Sequence, residues 1–174
     1  MTEILGIAIL GGDQRQHRHE IIRTGAGFSL EQGAAILNRS FGVPGTGYTL
    51  PLYNAWMDDA FHRDRIVVAA SSNTDPELPE WPAFFDQVLG VTACEGKGCI
   101  LQADTPRHHI ALAAPGAGIR VPLPEGGHSQ VTGSSFAAAH VSCLLARLIP
   151  RFPGLIPSLA REALEHHAAT AGKE

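Results

Sequence analysis

Short apolar runs punctuate the chain at residues 4–10, 35–38, 66–70, 88–93 and 109–113, with none of the polar alternation of a half-exposed strand. Runs of that length and continuity predict strands buried on both faces, as in a parallel sheet covered by helices. Between the first two runs lies a stretch rich in glycine and histidine, read as a loop. It is followed by Ser29-Leu30-Glu31-Gln32, whose serine and glutamine have the spacing of a capping box that opens a short helix. A second helix is predicted over residues 52–62, feeding the strand at Ile66. From Gly133 the pattern turns helical through Leu148. Pro150, Pro153 and Pro157 then interrupt it before a last amphipathic helix over about residues 158–167. Strand and helix alternating in this way predict right-handed crossovers, and so an α/β layered fold with a mostly parallel sheet flanked by helices.

Composition narrows the classes of function. A chain of 174 residues, 44% hydrophobic and 17% charged, suits one folded domain spanning residues 1–174, with no interdomain linker, repeat or low-complexity tract. The formal charge of −4 and the lack of a basic stripe argue against a nucleic-acid partner. No apolar run is long enough to cross a bilayer, so no membrane partner is expected. Thr2 and Glu3 follow Met1 without the layout of a signal peptide, which places the protein in the cytoplasm if Met1 is the true start. Three cysteines are too few for a disulfide scaffold. Cys94 and Cys99 bracket a Glu-Gly-Lys-Gly turn and read either as the ends of a small oxidised loop or as two thiols at strand ends. Cys143, in an apolar helical run, is predicted to be a small buried side chain.

The most informative segment is Gly133-Ser134-Ser135-Phe136-Ala137-Ala138-Ala139-His140-Val141. A small residue, two hydroxyls and an alanine-rich run predict a tight turn that delivers a serine to a helix N-terminus. There the helix dipole and unpaired backbone N–H groups favour an oxyanion formed when the serine attacks a carbonyl. The simpler reading of the same residues is a serine N-cap on an ordinary helix. The histidines add little. His17 and His19 flank Arg18 and could bind a metal, but no further ligands follow at a characteristic spacing, so neither a metal site nor a cofactor is predicted. His128 lies in a glycine-rich loop, His108 and His109 open a strand, and His166 and His167 fall on the solvated face of the last helix.

The segment resembles the serine motif of the subtilisin-like serine proteases, the subtilases, Gly-Thr-Ser-Met-Ala-x-Pro-His-Val. The match puts Ser135 on the nucleophile and His140 on the motif's non-catalytic histidine. Ser134, Phe136 and Ala139 stand where the motif has Thr, Met and Pro, and Cys143 replaces a frequent glycine. The resemblance continues in order along the chain. Ile66-Val67-Val68-Ala69-Ala70-Ser71-Ser72-Asn73 is similar to the strand that ends in the oxyanion-hole asparagine, with Ser72 where glycine is usual. It implies that role for Asn73 and a substrate-binding role for Ala70, Ser71 and Ser72. Leu37-Asn38-Arg39-Ser40-Phe41-Gly42 resembles the strand whose end pairs with the substrate backbone and lines the pocket for the residue before the cut, which implies substrate contacts for Ser40, Phe41 and Gly42. Trp81-Pro82-Ala83, the strand at 88–93 and Ala114-Pro115-Gly116 match further family segments.

The implied fold is subtilisin-like and lacks the N-terminal part of that domain. The triad's aspartate and histidine come early in the family, and neither an Asp-[Ser/Thr]-Gly nor a His-Gly-Thr motif occurs in this sequence. A serine hydroxyl is a weak nucleophile until an oriented base takes its proton. Losing the base costs up to about 10⁶ in turnover, leaving at most roughly 10³–10⁴ over water. Two functions follow. One is a serine endopeptidase acting on peptides or proteins whose aspartate and histidine come from another segment or a complementary chain. The other is a catalytically dead module that binds peptides or partners by strand addition.

Overall fold

The computed structural model describes residues 3–7, 18–44, 50–71, 80–95, 99–100 and 110–171. Four strands build a parallel sheet: β1 (Ile36–Arg39), β3 (Ile66–Ala70), β5 (Leu89–Glu95) and β7 (Leu112–Pro115). β1 pairs with β3, with Leu37 opposite Val67; β3 pairs with β5, with Val68 opposite Leu89; and β5 pairs with β7, with Val91 opposite Leu112. β6 (Cys99–Ile100) adds an antiparallel extension at the end of β5. Two small antiparallel pairs lie apart from this sheet: β2 (Val43–Pro44) with β4 (Glu80–Trp81), and β8 (Ile119–Pro122) with β9 (His128–Val131).

Each face of the sheet carries a helical layer. Helices α1 (Arg18–Glu31) and α2 (Leu50–His62) cover one face, where Ile22, Ala26, Leu30, Tyr53, Trp56, Met57 and Ala60 pack on Leu37, Val67 and Ala69. Helix α3 (Ser134–Leu148) covers the other, with Ala137, Ala138, Val141 and Leu145 on Ile66, Val68, Ala70, Val91 and Leu112. Ala160 of α4 (Pro157–Ala171) joins that second cluster. Successive strand residues point to opposite faces, so a strand covered twice must be apolar throughout. β3 is buried at every position and β5 at all but Glu95, which is the unalternating pattern read from the sequence.

Three expectations are corrected. Residues 3–7 form no strand, and Ile4 is 87% exposed; residues 8–10 of that apolar run lie outside the described residues. An apolar run becomes a strand only when a neighbouring edge supplies hydrogen bonds, and β1 pairs only with β3 among the described strands. Ser29 does not open a helix. It lies in the last turn of α1, donating to the Gly25 carbonyl at 2.8 Å. Burial of Ile22, Ala26 and Leu30 at a spacing of four outweighs the roughly 1 kcal/mol penalty of each glycine in the helix, Gly25 and Gly27. Cys143 is exposed, because the buried stripe of α3 runs through Ser134, Ala137, Ala138, Val141 and Leu145 and passes it by. Of the two cysteine readings at the β5–β6 turn, the register sets Cys94 opposite Ile100 and Cys99 opposite Glu95 rather than opposite each other.

Candidate active site

The site forms where β1, β3 and β7 end against the start of α3. Gly133 precedes the helix with an extended backbone and no side-chain cap. Its N–H donates to the Gly116 carbonyl at 2.8 Å. Gly116 is needed for that approach, because a Cβ there would lie 2.6 Å from the Ala93 Cβ and 2.8 Å from the Gly133 carbonyl oxygen. His140, two turns into α3, fixes the same junction: its Nδ1 and the Pro115 carbonyl oxygen are 2.8 Å apart. The Ala-Pro-Gly segment is thus a docking point for the first turns of the helix.

Neither serine at the helix start acts as a cap; both reach across to other strands. Ser134 is 1% exposed and donates to the Ser71 carbonyl at 2.6 Å, tying α3 to the residue after β3. Ser71 in turn donates its N–H to Val91 at 2.9 Å. Ser135, half-buried, makes a reciprocal pair with Ser40: its Oγ donates to the Ser40 carbonyl at 3.0 Å, and the Ser40 hydroxyl donates to the Ser135 carbonyl at 2.8 Å. The chain of hydrogen bonds continues outward. Asn38 Nδ2 donates to Ser40 Oγ at 2.9 Å, and Ser142 Oγ donates to Asn38 Oδ1 at 2.9 Å. Each group polarises the next. Three bonds between the end of β1 and α3, and one within the β1 segment, therefore hold the Ser135 turn in register with the strand end.

Of the residues singled out in the sequence, Ser135 and Ser40 are in direct contact, and Ser71 is linked to them through Ser134. Ala70 is the buried last residue of β3. Phe41 packs against the α1–α2 core cluster, and Gly42 lies against Glu80. Ser72 and Asn73 lie outside the described residues, as do His17, His108 and His109. His128 is exposed at the end of β9 remote from Gly133, its Nδ1 3.3 Å from Arg120 Nη2. His166 and His167 are exposed on α4. Among the described residues no group of three or more His, Cys, Asp or Glu side chains is placed to hold a metal ion. No described helix is long and apolar enough to cross a membrane.

Sequence reasoning passed over four residues here. Asn38 and Ser142 complete the network, yet an asparagine and a serine 104 positions apart carry no signal of a bond. Glu80 was missed because nothing in the chain near it marks its approach to Gly42. Arg39 is 6% exposed, with its guanidinium carbon 5.0 Å from the Trp56 ring centroid. Burial pulls its pKa well below the ordinary guanidinium value, to about 10, opposed by the pull of Tyr53. Its direction was legible, since strand alternation sends Arg39 to the same face as Leu37.

Comparison with known proteins agrees with this architecture. The family model described as Subtilase family matches residues 2–174. The major intracellular serine protease of Bacillus subtilis is 29% identical over 150 residues, covering 83% of this chain and 46% of that protein. Subtilisin DY of Bacillus licheniformis is 24% identical, covering 88% of this chain and 57% of its own length. Among solved structures, the self-cleaved protease domain of PatA superposes with a TM-score of 0.72 at 25% identity, over 88% of this chain and 61% of that one. A cold adapted subtilisin-like serine proteinase superposes with a TM-score of 0.74 at 18% identity, over 85% and 54%. The chain spans about half the length of the curated relatives named.

Proposed function

Because the chain belongs to the subtilase family, we propose that it carries the nucleophile of a serine endopeptidase, with the triad's aspartate and histidine supplied from outside residues 1–174 or by a complementary chain. The observation that carries this reading is the reciprocal Ser40–Ser135 pair at the start of α3. It sets a hydroxyl at a helix N-terminus beside a strand end whose backbone can take a peptide as a further strand.

The reaction follows from those positions. A peptide laid along Ser40–Gly42 donates its N–H to the Ser40 carbonyl, displacing the Ser135 hydroxyl, which turns to the incoming histidine. The histidine takes the Oγ proton as Oγ attacks the scissile carbonyl carbon. The oxyanion draws on the backbone N–H groups at the α3 N-terminus and on the side-chain amide assigned to Asn73. The histidinium then protonates the leaving amine, and water, deprotonated by the same histidine, releases the acyl group from Ser135. Without the base the chain is inactive for practical purposes.

A second reading, a peptide-binding module without catalysis, is favoured by the Ser135 hydroxyl being committed to a carbonyl rather than to a base. One experiment separates the two. The chain is mixed with a polypeptide carrying the Asp-Ser-Gly and His-Gly-Thr segments of a subtilase and treated with a fluorophosphonate probe. Labelling at Ser135 with recovered peptide hydrolysis is expected; saturable peptide binding with Ser135 never labelled selects the binding module.

A further inference from the structure

Two residues beyond Ser40, Gly42 presents a bare backbone to a carboxylate. A Cβ built on Gly42 would fall within the Glu80 carboxylate, and lie 3.0 Å from the Glu80 Cβ and Cδ. The approach is held by the β2–β4 pair, in which Pro44 opposes Glu80 and Val43 opposes Trp81. Trp81 anchors that pair to the core, its ring centroid 4.3 Å from that of Phe85 and 5.6 Å from that of Phe84. Glu80 is half-buried, and its carboxylate is the group that approaches Gly42, so it lies beside the Ser40–Gly42 edge.

No cation of the described residues meets it. The ion pairs among them are Arg63–Asp59 and Arg161–Glu165. Arg39, the last residue of β1 and three positions before Gly42, lies over Trp56 in the α1–α2 core, and the ionisable neighbour that acts on it is Tyr53. A carboxylate without a cationic neighbour gains from a charge-assisted bond to an ammonium or guanidinium.

We propose that Glu80 makes the Ser40–Gly42 edge select peptides with a lysine or arginine at the residue that lies against Gly42, on the acyl side of the bond beside Ser135. The inference rests on the reading of Ser40–Gly42 as the peptide-binding edge. The missing Cβ at Gly42 is what lets the Glu80 carboxylate reach the backbone of that edge, where a long basic side chain lying along it would meet the carboxylate. A bulkier residue there would displace Glu80 and close the route.

The test uses this chain with fluorescein-labelled Ala-Ala-Ala-Arg, Ala-Ala-Ala-Gln and Ala-Ala-Ala-Glu, which resemble the acyl half of a cut peptide. Binding is followed by fluorescence anisotropy, with fluorophosphonate labelling in the complemented mixture run in parallel. The arginine peptide is expected to bind about tenfold tighter than the glutamine peptide, the size of one charge-assisted bond. E80Q should erase that preference, and E80K should turn it toward the glutamate peptide, each with an unchanged urea midpoint as the check on folding. Equal binding of arginine and glutamine peptides, a preference that survives E80Q, or no saturable binding overturns the proposal. Ser135 labelled with equal peptide affinities removes the specificity and leaves the protease reading standing. A preference that depends on Glu80 with Ser135 never labelled does the reverse.

Discussion

The two sides of the end of β1 treat polar groups in opposite ways. Asn38 and Ser40 point toward α3, where every hydroxyl and amide named finds a partner between 2.8 and 3.0 Å. Arg39, between them, points toward α1 and α2, where its Nε and Nη2 are buried with no hydrogen-bond partner among the described residues. Adjacent positions in one strand thus make a satisfied network open to solvent and a desolvated cation beside an aromatic ring. A net hydrogen bond contributes about 1 kcal/mol, and an unpaired buried group costs more than that. Stability and site geometry are therefore set on different faces: the side that organises Ser135 stabilises the fold only modestly, and the side that should be pure core holds a charge.

The comparison can be broken in four places. The largest effect belongs to Ser135→Ala. In the complemented mixture it should abolish fluorophosphonate labelling and reduce peptide hydrolysis by about 10⁶, with the urea midpoint shifted by no more than about one hydrogen bond's worth, roughly 1 kcal/mol. Hydrolysis that survives at a tenth of wild type would remove Ser135 from the reaction.

Next comes Arg39→Met, which replaces the buried cation with an apolar chain of similar length. Its lowered pKa means that folding disfavours the charged form. The penalty is present at every pH below about 10 and shrinks only as pH climbs from there toward the ordinary guanidinium pKa. Arg39→Met should therefore raise stability at neutral pH by about 1–4 kcal/mol in urea unfolding. A loss of stability would mean that the cation is paired in solution.

Asn38→Ala removes the middle of the network and should destabilise by about 0.5–1.5 kcal/mol. In a double-mutant cycle with Ser142→Ala the two should couple, and strictly additive losses would show that the bridge does not form in solution. The smallest effect is expected at Ser71, whose buried Oγ has no partner among the described residues. Ser71→Ala should be neutral or stabilise by up to about 1 kcal/mol, read from the same urea transitions.

The four parallel strands and the helices at α2, α3 and α4 were legible because their periodicity is local: a strand buried on both faces must be apolar at consecutive positions, and β3 and β5 are. The Gly-Ser-Ser turn and the Ala-Pro-Gly segment were legible for a similar reason, since a close backbone approach can be met only by residues without bulk. What the chain alone did not reveal depends on neighbours remote in sequence. Residues 4–7 belong to an apolar run yet form no strand, Ser29 looks like the beginning of a helix and sits at the close of one, and Cys143 faces out because of where α3 happens to land. The contacts of Ser40 with Ser135, Asn38 with Ser142 and Gly42 with Glu80 likewise join segments 38 to 104 positions apart. Sequence by itself determined which residues had to be buried and which turns had to be tight. Tertiary structure alone decided which hydroxyl meets which carbonyl, because hydrogen bonds are short and directional and only the packed sheet brings their ends within 3 Å.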